Sequence, residues 1–139
     1  MSRFKLDDGS IKQVLNKVIS EHYQDLTQTK FKLVFDMKEF PSKLGAIRKV
    51  SEREKCSGID ADLMIIISEL WWNKVEDKTK EALIDHELAH VECIIKKDGS
   101  KQYKMRKHDV EEFFLVVARR GAWSPALHML QEMLGKTEE

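Results

Sequence analysis

Six residues near the middle of the chain, DHELAH at positions 85–90, have the types and spacing of a metal-dependent hydrolytic site. On an α-helix, residues four positions apart lie on one face, one turn apart, so His86 and His90 could bind the same metal ion. Glu87 lies beside them and could take a proton from a water on that ion. This combination is the physical content of the H-E-x-x-H motif.

A catalytic zinc site normally has three protein ligands and a fourth position open to water, so a further ligand must be found. The residues that could supply it downstream lie in the segment KHDVEEF, at 107–113. We prefer His108, which stands at the expected start of a helix, because imidazole suits zinc. Glu112, one turn later, is the alternative third ligand. Cys93 is a conceivable thiolate ligand, but a small buried residue in a crowded helix explains it more simply.

The motif requires a helix, and the surrounding sequence predicts one from about Asp77 to Lys97. Asp77 is a suitable N-cap, and Gly99 follows basic residues at the predicted C-terminal end. Most sides of this helix carry apolar residues, which indicates a buried, central position against the sheet. One apolar stripe consists of Ile84, Leu88, Val91 and Ile95.

The elements before and after the motif predict an α+β fold in one domain, residues 1–139, with flexible tails at 1–10 and 136–139. A first amphipathic helix spans about Ile11 to Leu26. A small three-stranded sheet, mostly antiparallel or mixed, follows from FKLVFDM, GAIRKV and DLMIIISELWW, with a polar loop before the third strand. After the motif helix, the polar connection SKQYKMRK leads to two C-terminal helices, of which the last begins at Ser124.

The composition is that of a globular protein, with 139 residues, of which 42% are hydrophobic and 35% charged. The formal net charge is zero, so nothing in it demands a nucleic acid or an anionic membrane as partner. Two cysteines are too few for a disulfide framework, and no apolar run is long enough to span a bilayer. We therefore expect a reducing, cytoplasmic setting.

Five segments together resemble the phage metallopeptidase family, over roughly residues 31–123. More distantly, the chain is similar to the SprT-like zincins, which also have a short sheet before an HExxH helix and a third histidine downstream. Those proteins are associated with cleaving proteins crosslinked to DNA. This chain has no zinc ribbon and no strongly basic tail, so we expect no such role. The five segments are LGAIRKV, IDADLMIIISELWW, ALIDHELAHV, HDVEEF and RRGAW.

The resemblance implies a zinc-dependent peptidase of minimal zincin type, with Zn²⁺ on His86, His90 and His108 and with Glu87 as the catalytic base. Its substrate would be a protein or peptide, which could lie extended along a sheet edge near Leu44 to Val50. Tyr103, on the connection to His108, is a candidate for stabilising the oxyanion. Two other functions stay open: a zincin-fold module that captures a partner protein, and a zinc-stabilised regulatory domain with a closed metal shell.

Overall fold

The computed structural model describes residues 3–39 and 43–106. Its elements follow the chain as an alternation of short helices and strands, with one 3-10 turn at Gln24–Leu26. The helices are α1 (Ser10–His22), α2 (Glu52–Cys56), α3 (Glu69–Trp72) and α4 (Asp77–Leu88). The strands are β1 (Phe4–Leu6), β2 (Phe31–Asp36), β3 (Gly45–Lys49), β4 (Leu63–Ser68), β5 (Val91–Ile95) and β6 (Lys101–Met105).

The main sheet has four strands in the order β1-β2-β4-β3, and β5 and β6 form a separate hairpin. Strands β2 and β4 are parallel, whereas β1 pairs with β2 and β3 pairs with β4 in antiparallel fashion. The predicted α+β fold with a mixed sheet is thus confirmed. The sheet has one strand more than predicted, because Phe4–Leu6, assigned to a flexible tail, pairs with the β2 edge.

Helices α1 and α4 pack on one face of this sheet, and the core lies between them. Alternate residues of β4 point into that core, as the two-residue period of a strand requires. From α4, Ile84 and Leu88 are fully buried, which confirms the predicted apolar stripe as far as it lies on the helix. The buried residues of α1 are Ile11, Leu15, Val18 and Ile19, and those of β4 that join them are Leu63, Ile65 and Ile67.

The motif helix is shorter than predicted, since it ends at Leu88 and not near Lys97. Residues 91–95, assigned to its last turns, form β5, and the expected polar connection forms β6. Gly99 is therefore a residue of a hairpin turn, with φ of 87°, and not a helix C-cap. The physical reason is that Asp98-Gly99 favours a hairpin turn and that the isoleucines and valine of β5 favour a strand.

Two further boundaries differ from the sequence prediction. The third predicted strand ends at Ser68, whose hydroxyl accepts a hydrogen bond from the Trp71 backbone N–H and so caps α3. The predicted polar loop contains α2, because Ser51 and Glu54 form a capping box. Trp72 is buried in the core and Trp71 is half-buried, so one ring of the pair packs inside, although from a helix and not from a strand.

The predicted C-terminal helices lie outside the described residues, as do His108, Glu112 and the tail at 136–139. Among the described residues, no helix is long and apolar enough to cross a membrane.

Candidate metal centre

His86 lies in the last turn of α4, and His90 lies two residues beyond the end of the helix at Leu88, in the turn that leads to the hairpin. The Ala89 backbone N–H still donates to the Asp85 carbonyl, while that of His90 donates to Glu87, so the last turn tightens after Ala89. Both imidazoles are half-buried. Their ring centroids are 5.3 Å apart with planes at 89°. This proximity allows both rings to reach one ion, which zinc would hold at about 2 Å from each nitrogen.

A backbone hydrogen bond selects the tautomer of His90. The Nδ1 atom lies 2.7 Å from the carbonyl oxygen of Arg106, and since a carbonyl can only accept, Nδ1 carries the proton. Nε2 is then the ring nitrogen that carries a lone pair and could coordinate a metal. Metal-binding histidines typically donate their other N–H in this way, which fixes the ring and raises its basicity.

The same pair of residues closes the β5–β6 hairpin. The Arg106 backbone N–H donates to the His90 carbonyl at 2.6 Å, and the Arg106 guanidinium reaches the Val91 carbonyl at 3.4 Å. The hairpin therefore fixes both the backbone and the imidazole ring of His90. It also returns the chain to the histidine pair at Arg106, two positions before His108.

Glu87 is buried against the start of β3, with a side chain close to Gly45. A Cβ atom placed on Gly45 would lie 3.4 Å from Glu87 Oε1 and 3.3 Å from the Leu83 methyls, so a side chain there would fit tightly. Burial raises the pKa of the Glu87 carboxyl to about 7, and the positive charge of Lys43 opposes this rise. A carboxyl with a pKa near neutrality is suited to accept and return a proton.

Of the predicted set, the described residues bring His86 and His90 together, and Glu87 follows His86 in the chain. No group of three or more potential metal ligands occurs within residues 3–39 and 43–106. Cys93 is on β5 and not on the helix that carries His86, it packs against the core, and burial raises the pKa of its thiol. Tyr103 is also a core residue, and its hydroxyl pairs with that of Thr29 at 2.8 Å, so it has a packing role.

Sequence reasoning missed two contacts of the site. The carbonyl of Arg106 has no sequence signal, because any residue supplies a carbonyl; only a correct hairpin prediction would have placed it near His90. The other missed contact joins Tyr23, at the end of α1, to Asp85, which precedes the first motif histidine. The Asp85 side chain is fully buried.

The donor set fits a zinc ion. Two imidazoles lie one turn apart, one of them with its tautomer set for coordination through Nε2, and a carboxyl suited to proton transfer follows the first histidine directly. Imidazole nitrogens are common zinc ligands, and a site with few protein ligands keeps positions open for water and substrate. The arrangement can therefore support hydrolysis of a polar bond assisted by a metal.

The comparisons with known proteins agree with this chemistry. A family model described as "Putative phage metallopeptidase" matches residues 5–138. No curated protein and no solved structure shows a significant match to the chain.

Proposed function

The chain belongs to the phage metallopeptidase family, and on that premise we propose that it hydrolyses peptide bonds with a zinc ion held by His86 and His90. The observation that carries the proposal is the hydrogen bond from His90 Nδ1 to the Arg106 carbonyl. It prepares one ring nitrogen for metal coordination, next to a second imidazole. This is the hydrogen bond that metal-binding histidines typically make through their second nitrogen.

His108 is the proposed third ligand, and Glu112 the alternative. Chain connectivity supports His108, because two residues can span no more than about 7 Å. Arg106 is hydrogen bonded to His90, so the chain starts from the site itself. This position of Arg106 supports a third ligand a few residues further along the chain.

Glu87 is the proposed general base. A bound zinc ion would supply Lewis acidity, which makes water more acidic and polarises the scissile carbonyl. Glu87 takes a proton from the attacking water and passes it to the leaving amine. Its burial beside Gly45 keeps the carboxyl away from bulk water. Its adjacency to His86 suits proton transfer at the reacting centre.

The substrate is proposed to be an extended segment of protein or peptide that pairs with the outer edge of β3. No described strand pairs with this edge of the sheet, so the backbone groups of β3 are available to a peptide. Gly45, the first residue of β3, lies against Glu87. A peptide along this edge would therefore pass near the base.

The decisive experiment compares the wild type with Glu87→Gln, which keeps the size of the side chain but removes its basicity. A peptide library is screened first to find a cleaved sequence. We expect Glu87→Gln to fold, to keep its zinc and to cleave at least about a hundredfold more slowly. Glu92→Gln, which changes an exposed glutamate on β5, is the matched control and should cleave like the wild type.

Other outcomes would support the two alternative functions. Equal cleavage by wild type and Glu87→Gln would refute the role of the base. If neither cleaves any sequence and both bind one partner protein with the same affinity, the chain is a binding module. A metal with four protein ligands and no exchangeable water, seen by X-ray absorption spectroscopy, would indicate a zinc-stabilised regulatory domain.

A further inference from the structure

A buried carboxylate lies directly before the first motif histidine. The Asp85 side chain is fully buried, and its Oδ1 accepts a hydrogen bond of 2.6 Å from the Tyr23 hydroxyl. The same hydroxyl lies 3.1 Å from the backbone carbonyl oxygen of Asp85. Burying a carboxyl is unfavourable unless its oxygens are hydrogen bonded, so packing alone does not account for an acid at this position.

The contact joins α4 to α1 on a face of α4 that the two motif histidines do not share. Glu81, one turn before Asp85, forms an ion pair of 3.1 Å with Lys17 of α1. Successive residues of a helix are about 100° apart around its axis, so the direction of Asp85 determines that of His86. A rotation of α4 that broke the Tyr23 hydrogen bond would turn His86 and Glu87 away from His90, which the hairpin holds.

Hydrogen bonds and apolar contacts restrict the rotation of α4 in different ways. Apolar contacts between α4 and the sheet are non-directional and tolerate small rotations of the helix. A hydrogen bond to a buried acceptor is directional and weakens steeply when its angle changes. The Tyr23 hydroxyl, which contacts both the side chain and the backbone of Asp85, therefore adds a directional restraint on the rotation of α4 to that of the core.

We propose that Tyr23 and Asp85 are positioning residues, whose hydrogen bond holds the rotation of α4 and so directs the His86 imidazole toward the His90 ring, which the hairpin holds. The effect of this hydrogen bond on metal binding rests on the proposed function. Its effect on ring orientation applies to the metal-free chain as well. Neither residue contacts the metal or the substrate in this proposal.

The test uses the full chain with Tyr23→Phe, which removes only the hydroxyl. Two readouts are taken: the histidine ring signals of the metal-free chain by NMR, and zinc affinity by competition with a chromogenic chelator. We expect the His86 and His90 signals to shift and zinc affinity to fall about tenfold, the lower end for partners that orient metal ligands.

Two controls separate positioning from general loss of stability. Lys17→Met removes the more exposed contact between α1 and α4. Val50→Ala weakens a second hydrophobic cluster, formed with Ala61 and Met64, which is separate from the core that contains α4 residues. Both should leave the histidine signals at their wild-type positions. Their zinc affinity should stay within about twofold of the wild type, which is small compared with a loss of about tenfold. If they change both readouts as much as Tyr23→Phe does, the proposal is overturned.

Substitutions at Asp85 provide the second arm and decide the matter if Tyr23→Phe does not fold. Asp85→Asn keeps an oxygen that accepts from Tyr23, so it should retain the wild-type ring signals, whereas Asp85→Leu should lose them. Equal behaviour of the two variants would overturn the proposal, as would ring signals in Tyr23→Phe that superimpose on those of the wild type. A wild type that binds no zinc would refute the proposed function, while the ring signals would still decide the role of Tyr23.

Discussion

The buried carboxyl of Glu87 makes the stability of the metal-free chain depend on pH. Its pKa rises from 4.5 to about 7 in the folded state because burial disfavours the charged form. Between these two values the folded chain keeps a proton that the unfolded chain has lost. The free energy of unfolding therefore falls as pH rises through this window, and it remains lower above pH 7.

The size of this effect follows from the pKa difference. Each pH unit between the two pKa values corresponds to about 1.4 kcal/mol, so ionisation of Glu87 should lower the free energy of unfolding by about 3 kcal/mol between pH 4.5 and pH 8. The expected loss is a large fraction of the stability of an ordinary small domain, about 5–15 kcal/mol. It should be absent in Glu87→Gln, whose amide does not titrate.

Urea unfolding at 25 °C in the presence of a chelator, at several pH values from 4.5 to 8, measures this difference. Subtracting the Glu87→Gln curve from the wild-type curve removes the contribution of all other titrating groups. The difference should change by about 3 kcal/mol, in favour of the glutamine variant at high pH. A difference that is constant across the range would mean that Glu87 ionises in the folded chain as it does in water. In that case burial would not raise the pKa of the Glu87 carboxyl.

Three further predictions concern the core, the metal and the hairpin. Leu88→Asp should destabilise the chain by more than about 4 kcal/mol, since it places an unpaired charge at a fully buried position; a variant that melts like the wild type would contradict the packing of α4. His108→Ala should lose zinc by metal analysis while Glu112→Ala retains it, and the opposite result would make Glu112 the third ligand. With either third ligand, acid should weaken zinc binding because imidazole must be neutral to coordinate. Gly99→Ala should cost about 1 kcal/mol because φ is 87° there, and an unchanged urea midpoint would show that the hairpin turn is not strained by a side chain.

Local sequence signals were sufficient for much of the fold. The helical spacing of apolar residues predicted α1, and alternation or β-branched runs predicted β2, β3 and β4 within a few residues of their observed bounds. The spacing of His86 and His90 also predicted their proximity, although α4 ends at Leu88 and His90 lies in the turn that follows it. The family resemblance drawn from the same segments is confirmed by the match over residues 5–138.

Tertiary structure decided where the motif helix ends. From Asp77 to Lys97 the apolar residues are so frequent that they fit either a long buried helix or a helix followed by a strand. The choice depends on a partner strand, since β5 is formed only when Lys101–Met105 returns to pair with it. That pairing also brings the Arg106 carbonyl to His90, a contact between positions 16 apart that no helical pattern contains.

The electrostatic character of the site was likewise a tertiary result. Asp85 and Glu87 are both buried, because α1 covers one and β3 covers the other. The pKa of a carboxyl depends on how much water its neighbours exclude, and those neighbours come from segments about 40 to 60 positions away. The sequence by itself therefore determined which residues carry the chemistry. Only the packing of α1, β3 and the hairpin around α4 decided how those residues are oriented and charged.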